Sequence, residues 1–253
     1  MSYDITSPSN DRIKWLVRLR DRRHRDAERV FVVEGRRLYG RAIESGLTPI
    51  VTFVSDDFDT TGETISVLPD VIDKASYRSR AEGLIGVFPQ FEVDLGRIVL
   101  GSDPLVLMVE NIEKPGNLGA MLRTAVAAGT DAVVAVGGSV DPFNPNVLRS
   151  STGAIFSMPF AMTSWEQLGP WLEAMKVVAT SPDATSSIWE TDMSGPTALL
   201  IGAEHEGLSE EALSTASVTV TIPQATGTTD SLNASVAAGI VLFEAVRQRG
   251  GKR

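Results

Sequence analysis

Apolar residues recur along this chain in two rhythms. One is a set of short apolar runs: the one within "RVFVVEG" (29–35), "LIGVF" (84–88), "LVLMV" (105–109), "AVVAV" (132–136), "ALLIG" (198–202) and "VTVTI" (218–222). Runs of this length between polar or glycine-bearing turns predict strands buried on both faces. "PIVTFV" (49–54) and "VVAT" (177–180) extend the set. Helical spacing fills the intervals. Ile13, Leu16 and Val17 mark one side of a helix over 9–20, and "RRLYGRAIESG" (36–46) reads as a helix stopped by Gly46. "DKASYRSRAEG" (73–83) reads as a helix and turn, and further helices are expected near 118–128, 165–175 and 209–215. A long helix closes the chain from about 231 to 248. Apolar strands alternating with helices predict an α/β protein whose larger part carries a mostly parallel sheet. The organisation expected is a small α/β module over 1–95, a connection over 96–103 and a second α/β module over 104–253.

Composition narrows the chemistry. The chain has 253 residues, 43% of them hydrophobic, enough for a sizeable core. With no cysteine, disulfides and thiolate metal sites are excluded, and His24 and His205 lie in separate regions without local ligand partners. No metal is expected. No apolar run approaches a membrane span and the polar start does not resemble a signal peptide, so a soluble, cytoplasmic protein is expected. The net charge of −9 at first disfavours nucleic acid, but its distribution changes that. Residues 1–45 carry 11 Lys and Arg against 7 Asp and Glu, a balance of +4, which leaves −13 for the rest. Arg18, Arg20, Arg22, Arg23 and Arg25 crowd together near Trp15 and His24. Guanidinium groups match phosphate geometry, so this cluster is a candidate RNA-backbone surface; the alternative is a solvated helix face that confers only solubility.

Three glycine-bearing loops each follow a predicted strand and precede a predicted helix, which is where ligands bind in open parallel sheets. They are "NIEKPGNLGAMLRTA" (111–125), "IGAEHEGLSEE" (201–211) and "IPQATGTTDSLNASVAAGI" (222–240). None has the lysine beside Ser or Thr of a phosphate loop, and the spacing in "GNLGAM" is wrong for a dinucleotide fingerprint. In the first, Leu118, Met121, Leu122, Ala125 and Val126 make an apolar side. Arg123 sits among small residues on another, with Asn117 the expected N-cap. An arginine so placed is open to a ligand, or else pairs with a carboxylate at a helix contact. The last helix is apolar or small nearly all round, yet Ser231, Asn233 and Ser235 lie in its first turns and need partners. Asp230 or Ser231 is the expected cap.

The three loops resemble the motifs of the SpoU/TrmH family of RNA ribose 2′-O-methyltransferases, of the SPOUT class. The first matches through Asn117, Gly119, Arg123, Thr124 and Ala125. The second matches through Gly202, Glu204, Gly207 and Leu208, and the third through Ile222, Pro223, Gly227, Ser231, Leu232, Asn233, Ser235 and Ala237. "FVVEGRRLYGRAIESG" and "AEGLIGVF" resemble that family's ribosomal-protein-like RNA substrate-binding domain. His205, Gln224 and Lys114 depart from the usual motif residues. The resemblance implies a C-terminal trefoil knot, S-adenosylmethionine as cofactor, structured RNA (ribosomal before transfer RNA) as substrate, and a homodimer sharing its sites. It implies a catalytic set of Arg123, Asn117, Glu204, Ser231 and Asn233. The cofactor would be held by Ile201, Gly202, Ala203, Glu204, Ile222, Pro223, Gln224, Ser231 and Leu232, and Arg123 would join the basic cluster on RNA. Guanidinium stays charged in proteins, so Arg123 suits clamping phosphate and stabilising an alkoxide better than proton abstraction. Glu204 could accept a proton or orient its neighbours. A non-catalytic, rRNA-protecting protein on the same fold is the alternative.

Overall fold

The computed structural model describes residues 3–77, 82–138, 140–204, 206–225 and 232–250. The chain divides into two compact units. The first comprises residues up to Phe91 together with Asp141–Phe156; the second comprises Glu92–Val140 and Ser157 onward.

In the first unit, α1 (Asp11–Arg18) and α2 (Arg22–Glu28) precede strand β1 (Val30–Glu34) and α3 (Arg36–Glu44). Strands β2 (Val51–Val54) and β3 (Glu63–Ser66), α4 (Pro69–Ala75) and β4 (Leu84–Pro89) follow. The sheet order is β1-β4-β2-β3, antiparallel except for β2 and β3, which pair in parallel with Phe53 opposite Ile65. The helix expected over 9–20 is α1, and α2 follows it as a separate helix that the apolar pattern did not mark. Asn10 and Asp21 cap α1 and α2 through side-chain oxygens, and Leu19 is buried between them. Asn and Asp offer the backbone such local bonds, so Asp21 starts a new helix directly after the first ends. Ile13, Leu16, Leu19, Val32, Phe53, Val71, Ile72 and Ile85 fill one core. The opposite face of β1 takes its cover from far along the chain. Phe31 stacks on Phe143, with centroids 5.3 Å apart, and packs against Phe156, while Arg25 pairs with Asp141.

The second unit carries a seven-stranded, wholly parallel sheet. Its strands are β5 (Leu105–Glu110), β6 (Ala132–Val136), β7 (Phe160–Thr163), β8 (Lys176–Thr180), β9 (Ser186–Ser187), β10 (Thr197–Ile201) and β11 (Val218–Thr221). They lie in the order β7-β6-β5-β10-β8-β11-β9. Its helices are α5 (Pro115–Ala128), α7 (Trp165–Leu172), α8 (Glu210–Thr215) and α9 (Ala234–Gln248); α6 (Pro145–Ser150) belongs to the first unit. Every residue of β5 is buried, as its unbroken apolar run predicts. Val106 and Met108 pack with Leu168, Leu172, Val177 and Leu200 on one face, while α5 and α9 lie against each other. β7 and β9 escaped the sequence reading because "FAMT" and "SS" lack a distinctive apolar run. Among the described residues no helix is long and apolar enough to cross a membrane.

Candidate functional site

The carboxyl ends of β5 and β10 are neighbours, because Val109 stands opposite Ile201 across the ladder. The first and second loops therefore leave the sheet side by side. The third loop leaves β11, separated from β10 by β8, but its chain returns through α9. Asn233 donates from Nδ2 to Asn117 Oδ1 at 3.3 Å, which joins the third motif to the first. Lys114 Nζ lies 3.4 Å from Glu204 Oε2, which joins the first to the second. Lys114 is three-fifths exposed and Glu204 only 13% exposed, so the lysine closes the solvent side of a mostly buried carboxylate.

Two expectations about caps are corrected. Asn117 does not cap α5. Lys114 holds that position and Pro115 begins the helix, because proline's fixed φ and missing N–H suit the first turn. Asn117 sits one turn inside instead, with its side chain turned to Asn233. Similarly, α9 begins at Ala234, not near 231, and its cap is Asn233. Asn233 Oδ1 accepts from Ser235 N at 2.9 Å, Ser235 Oγ at 2.6 Å and Val236 N at 3.4 Å. One carbonyl oxygen thus accounts for the polar side chains at the head of an apolar helix. Ser231, with Gly227 and His205, lies outside the described residues.

The second loop folds back on itself. Ala203 N donates to Gly207 O at 3.0 Å and Gly207 N to Ala203 O at 3.1 Å. A β-carbon on Gly202 would lie 2.3 Å from the carbonyl carbon of Gly207, so only glycine fits there. Ile201 and Gly202 are buried, Ala203 and Glu204 half-buried. In the third loop Ile222 and Leu232 are half-buried while Pro223 and Gln224 are exposed. Two buried polar atoms in these loops, Asn117 Nδ2 and Glu204 Oε1, have no partner among the described residues. Arg123 is exposed on α5 and makes no hydrogen bond or ion pair with any described residue. No group of three or more His, Asp or Glu is arranged for a metal ion among the described residues.

The basic cluster divides. Arg18, Arg20, Arg22 and Arg23 are exposed. Arg20 donates to the carbonyls of Lys74 and Ser76, and Arg22 reaches Asp26 at 3.2 Å. Arg25 departs from its expected role: it is 1% exposed, pairs with Asp141 and donates to the carbonyls of Leu19 and Arg20. A buried guanidinium needs a counter-ion and acceptors, and inside this unit it has both. Glu110 is the residue that the motif reading passed over, and Lys114 entered it only as a departure from the motif. A lysine before Pro115 and an acid closing an apolar strand were the available signals.

A parallel α/β sheet whose first two motif loops leave adjacent strand ends, with the third joined to the first through Asn233, has the ligand-site layout of an α/β enzyme at the carboxyl ends of its strands. The chain belongs to the SpoU rRNA methylase family. That family's model matches residues 104–243, and the MRM3-like substrate binding domain matches residues 10–86. The chain is 32% identical to a 23S rRNA (uridine(2479)-2′-O)-methyltransferase of Streptomyces viridochromogenes, over 97% of this chain and 92% of that protein. It is 40% identical to an uncharacterized tRNA/rRNA methyltransferase of Synechocystis, over 57% of this chain and only 54% of that relative. The crystal structure of an AdoMet-bound rRNA methyltransferase from Sinorhizobium meliloti superposes with a TM-score of 0.88 at 32% identity, covering 96% of this chain and 97% of that one.

Proposed function

We propose that this protein transfers a methyl group from S-adenosylmethionine to a ribose 2′-hydroxyl of ribosomal RNA. The observation that carries the reading is the meeting of three separate loops through the Asn117–Asn233 and Lys114–Glu204 contacts, on a chain of this family. The cofactor fits the residues present. Buried polar atoms without partners are costly, and Asn117 Nδ2 and Glu204 Oε1 offer one donor and one acceptor to an incoming ligand. The folded-back second loop, with Ile201, Gly202, Ala203 and Glu204, and the third loop, with Ile222, Pro223, Gln224, Ser231 and Leu232, would hold it. When bound, S-adenosylmethionine supplies a methyl group already activated by its sulfonium.

The chain's residues then have positioning and charge to provide. Arg123, exposed and without a partner among the described residues, clamps a phosphate beside the target ribose and stabilises negative charge developing on the 2′-oxygen. Asn233 orients Asn117, and Asn117 Nδ2 donates to the bound groups. Glu204 supplies an acceptor at Oε1 while Lys114 balances its charge. Arg18, Arg20, Arg22 and Arg23 form the RNA-backbone surface of the 1–95 module, which serves as substrate-binding domain to the catalytic module from 104 onward. The chain from β10 to α9 is threaded as a trefoil knot, a reading supported by the return of α9 to α5 from a strand two places away.

The working form is a homodimer in the cytoplasm. Val236 and Phe243 on α9 and Val126 on α5 are 49%, 49% and 43% exposed, an apolar surface that a second copy would cover. Sedimentation of a stable, active monomer at micromolar concentration would refute the dimer. The activity itself is tested by mapping 2′-O-methyl positions on ribosomal RNA from cells with and without the protein. One position should lose its methyl group in the deletion and regain it with purified protein and cofactor. Identical maps would overturn the reading.

A further inference from the structure

Glu110, the last residue of β5, is 2% exposed and pairs with no cation among the described residues. A carboxylate taken out of water is costly unless hydrogen bonds replace its hydration. Here three donors do so. Trp165 Nε1 donates to Oε1 at 2.8 Å, Ser209 Oγ to Oε1 at 2.6 Å, and Ser209 N to Oε2 at 2.8 Å. Ser209 Oγ in turn accepts from Ala212 N at 3.1 Å, which makes it the cap of α8.

The place of this network matters more than its strength. Val109 stands opposite Ile201, so Gly202 leaves β10 beside Glu110. The chain turns through Ala203 and Gly207 and comes back at Ser209, where the carboxylate grips it. The loop's entry is fixed by the strand ladder and its exit by Glu110. Between them lies Glu204. Ser209 could cap α8 without any carboxylate, so what Glu110 adds is a fixed position for the Ser209 N–H, and with it the loop.

We propose that Glu110 is a positioning residue that holds residues 202–204 and 206–208 in their cofactor-binding form. This rests on the reading of that loop as part of the S-adenosylmethionine site. Glutamine at 110 has nearly the same volume but a single acceptor oxygen. Its amide must face the N–H of Ser209 or of Trp165, donor against donor, so one arm of the network is lost without a cavity.

The test compares the full chain with Glu110→Gln by hydrogen exchange, calorimetry with S-adenosylmethionine, and steady-state kinetics. Exchange at the Ala203 and Gly207 amides should quicken roughly tenfold or more, with β5 and β10 unchanged, since freeing one arm leaves a buried donor unpaired. Cofactor affinity should fall by roughly tenfold to a hundredfold, while kcat at saturating cofactor changes about threefold at most. A variant that merely melts lower, with uniform exchange and cofactor affinity within about twofold of the parent, overturns the proposal. Where the glutamine variant does not fold, Ser209→Ala removes the Oγ bond to Glu110, together with the α8 cap bond from Ala212 N, and keeps the other two bonds to the carboxylate. It should shift loop exchange and cofactor affinity in the same direction by less, and unshifted values overturn the proposal. If the parent protein binds no cofactor, the reading of the site fails, while the exchange comparison still decides whether Glu110 anchors the loop.

Discussion

Arg123 stands exposed on α5 without a partner among the described residues, so its removal should cost the fold little and the reaction much. Arg123→Ala is expected to leave S-adenosylmethionine affinity nearly unchanged and to slow methyl transfer by about 10²–10³, the usual cost of one preorganised charge-stabilising group. Calorimetry beside single-turnover methylation separates the two quantities, and equal losses in both would give Arg123 a structural role. Its exposure follows from the small residues that sequence shows around it. Other residues could not be read that way. Asn117 looked like a cap because asparagine before a helical pattern usually is one, yet Pro115 had already started the helix. Arg25 looked like its neighbours in a basic run, and only the fold reveals that Asp141, 116 positions later, claims it. Local chemistry is legible in sequence; the partner that redirects it is not.

At the scale of the element, α9 shows both outcomes. Its apolar character was legible, and Ala234, Ala238, Val241, Leu242 and Ala245 are buried as that predicts. Its start was not, because several residues before it could cap and the geometry selects Asn233. Its far end is anchored by polar contacts that no apolar pattern encodes. Gln248 accepts from Met193 N at 2.7 Å and donates to Thr191 O at 2.9 Å, and Arg249 donates to Met193 O at 3.0 Å. Beneath them Glu244, buried, takes a bidentate grip from Arg247 at 2.7 and 2.8 Å and a bond from Gln248 at 2.8 Å. The Arg247 hydrogen bonds, helped by Gln248 and by Arg247's charge, hold the Glu244 carboxyl below its ordinary 4.5 against the opposing effect of burial. The folded state therefore binds this proton less readily than the unfolded chain does. The contribution is fully present above the ordinary value and is lost as pH falls through the lowered one. Urea midpoints measured from pH 6 to pH 3 should fall less steeply for Glu244→Gln than for the parent; parallel curves would exclude this carboxylate as a source of acid sensitivity.

For the whole molecule, charge is divided along the chain, +4 over residues 1–45 and −13 over the rest, so a basic N-terminal segment is what would bring an otherwise acidic chain to a polyanion. Log affinity for RNA should fall with log salt by about 0.7–0.9 per phosphate contacted. Replacing Arg18, Arg20, Arg22 and Arg23 with alanine should flatten that slope by roughly two contacts or more while cofactor affinity survives. An unchanged slope would make these residues a solubilising face only. The chain falls into two units, and the place of one segment in the first of them has a cost during synthesis. Asp141–Phe156 completes the first unit, giving Arg25 its counter-ion and Phe31 two of its ring neighbours. A ribosome that has made residue 91 must still add the chain up to residue 156, an interval on the order of several seconds at about 5–20 residues per second. Throughout that interval the nascent N-terminal part holds an uncompensated guanidinium and an unfinished aromatic cluster. Completion of the first unit is therefore timed by translation of residues 92–156, most of which belong to the second unit.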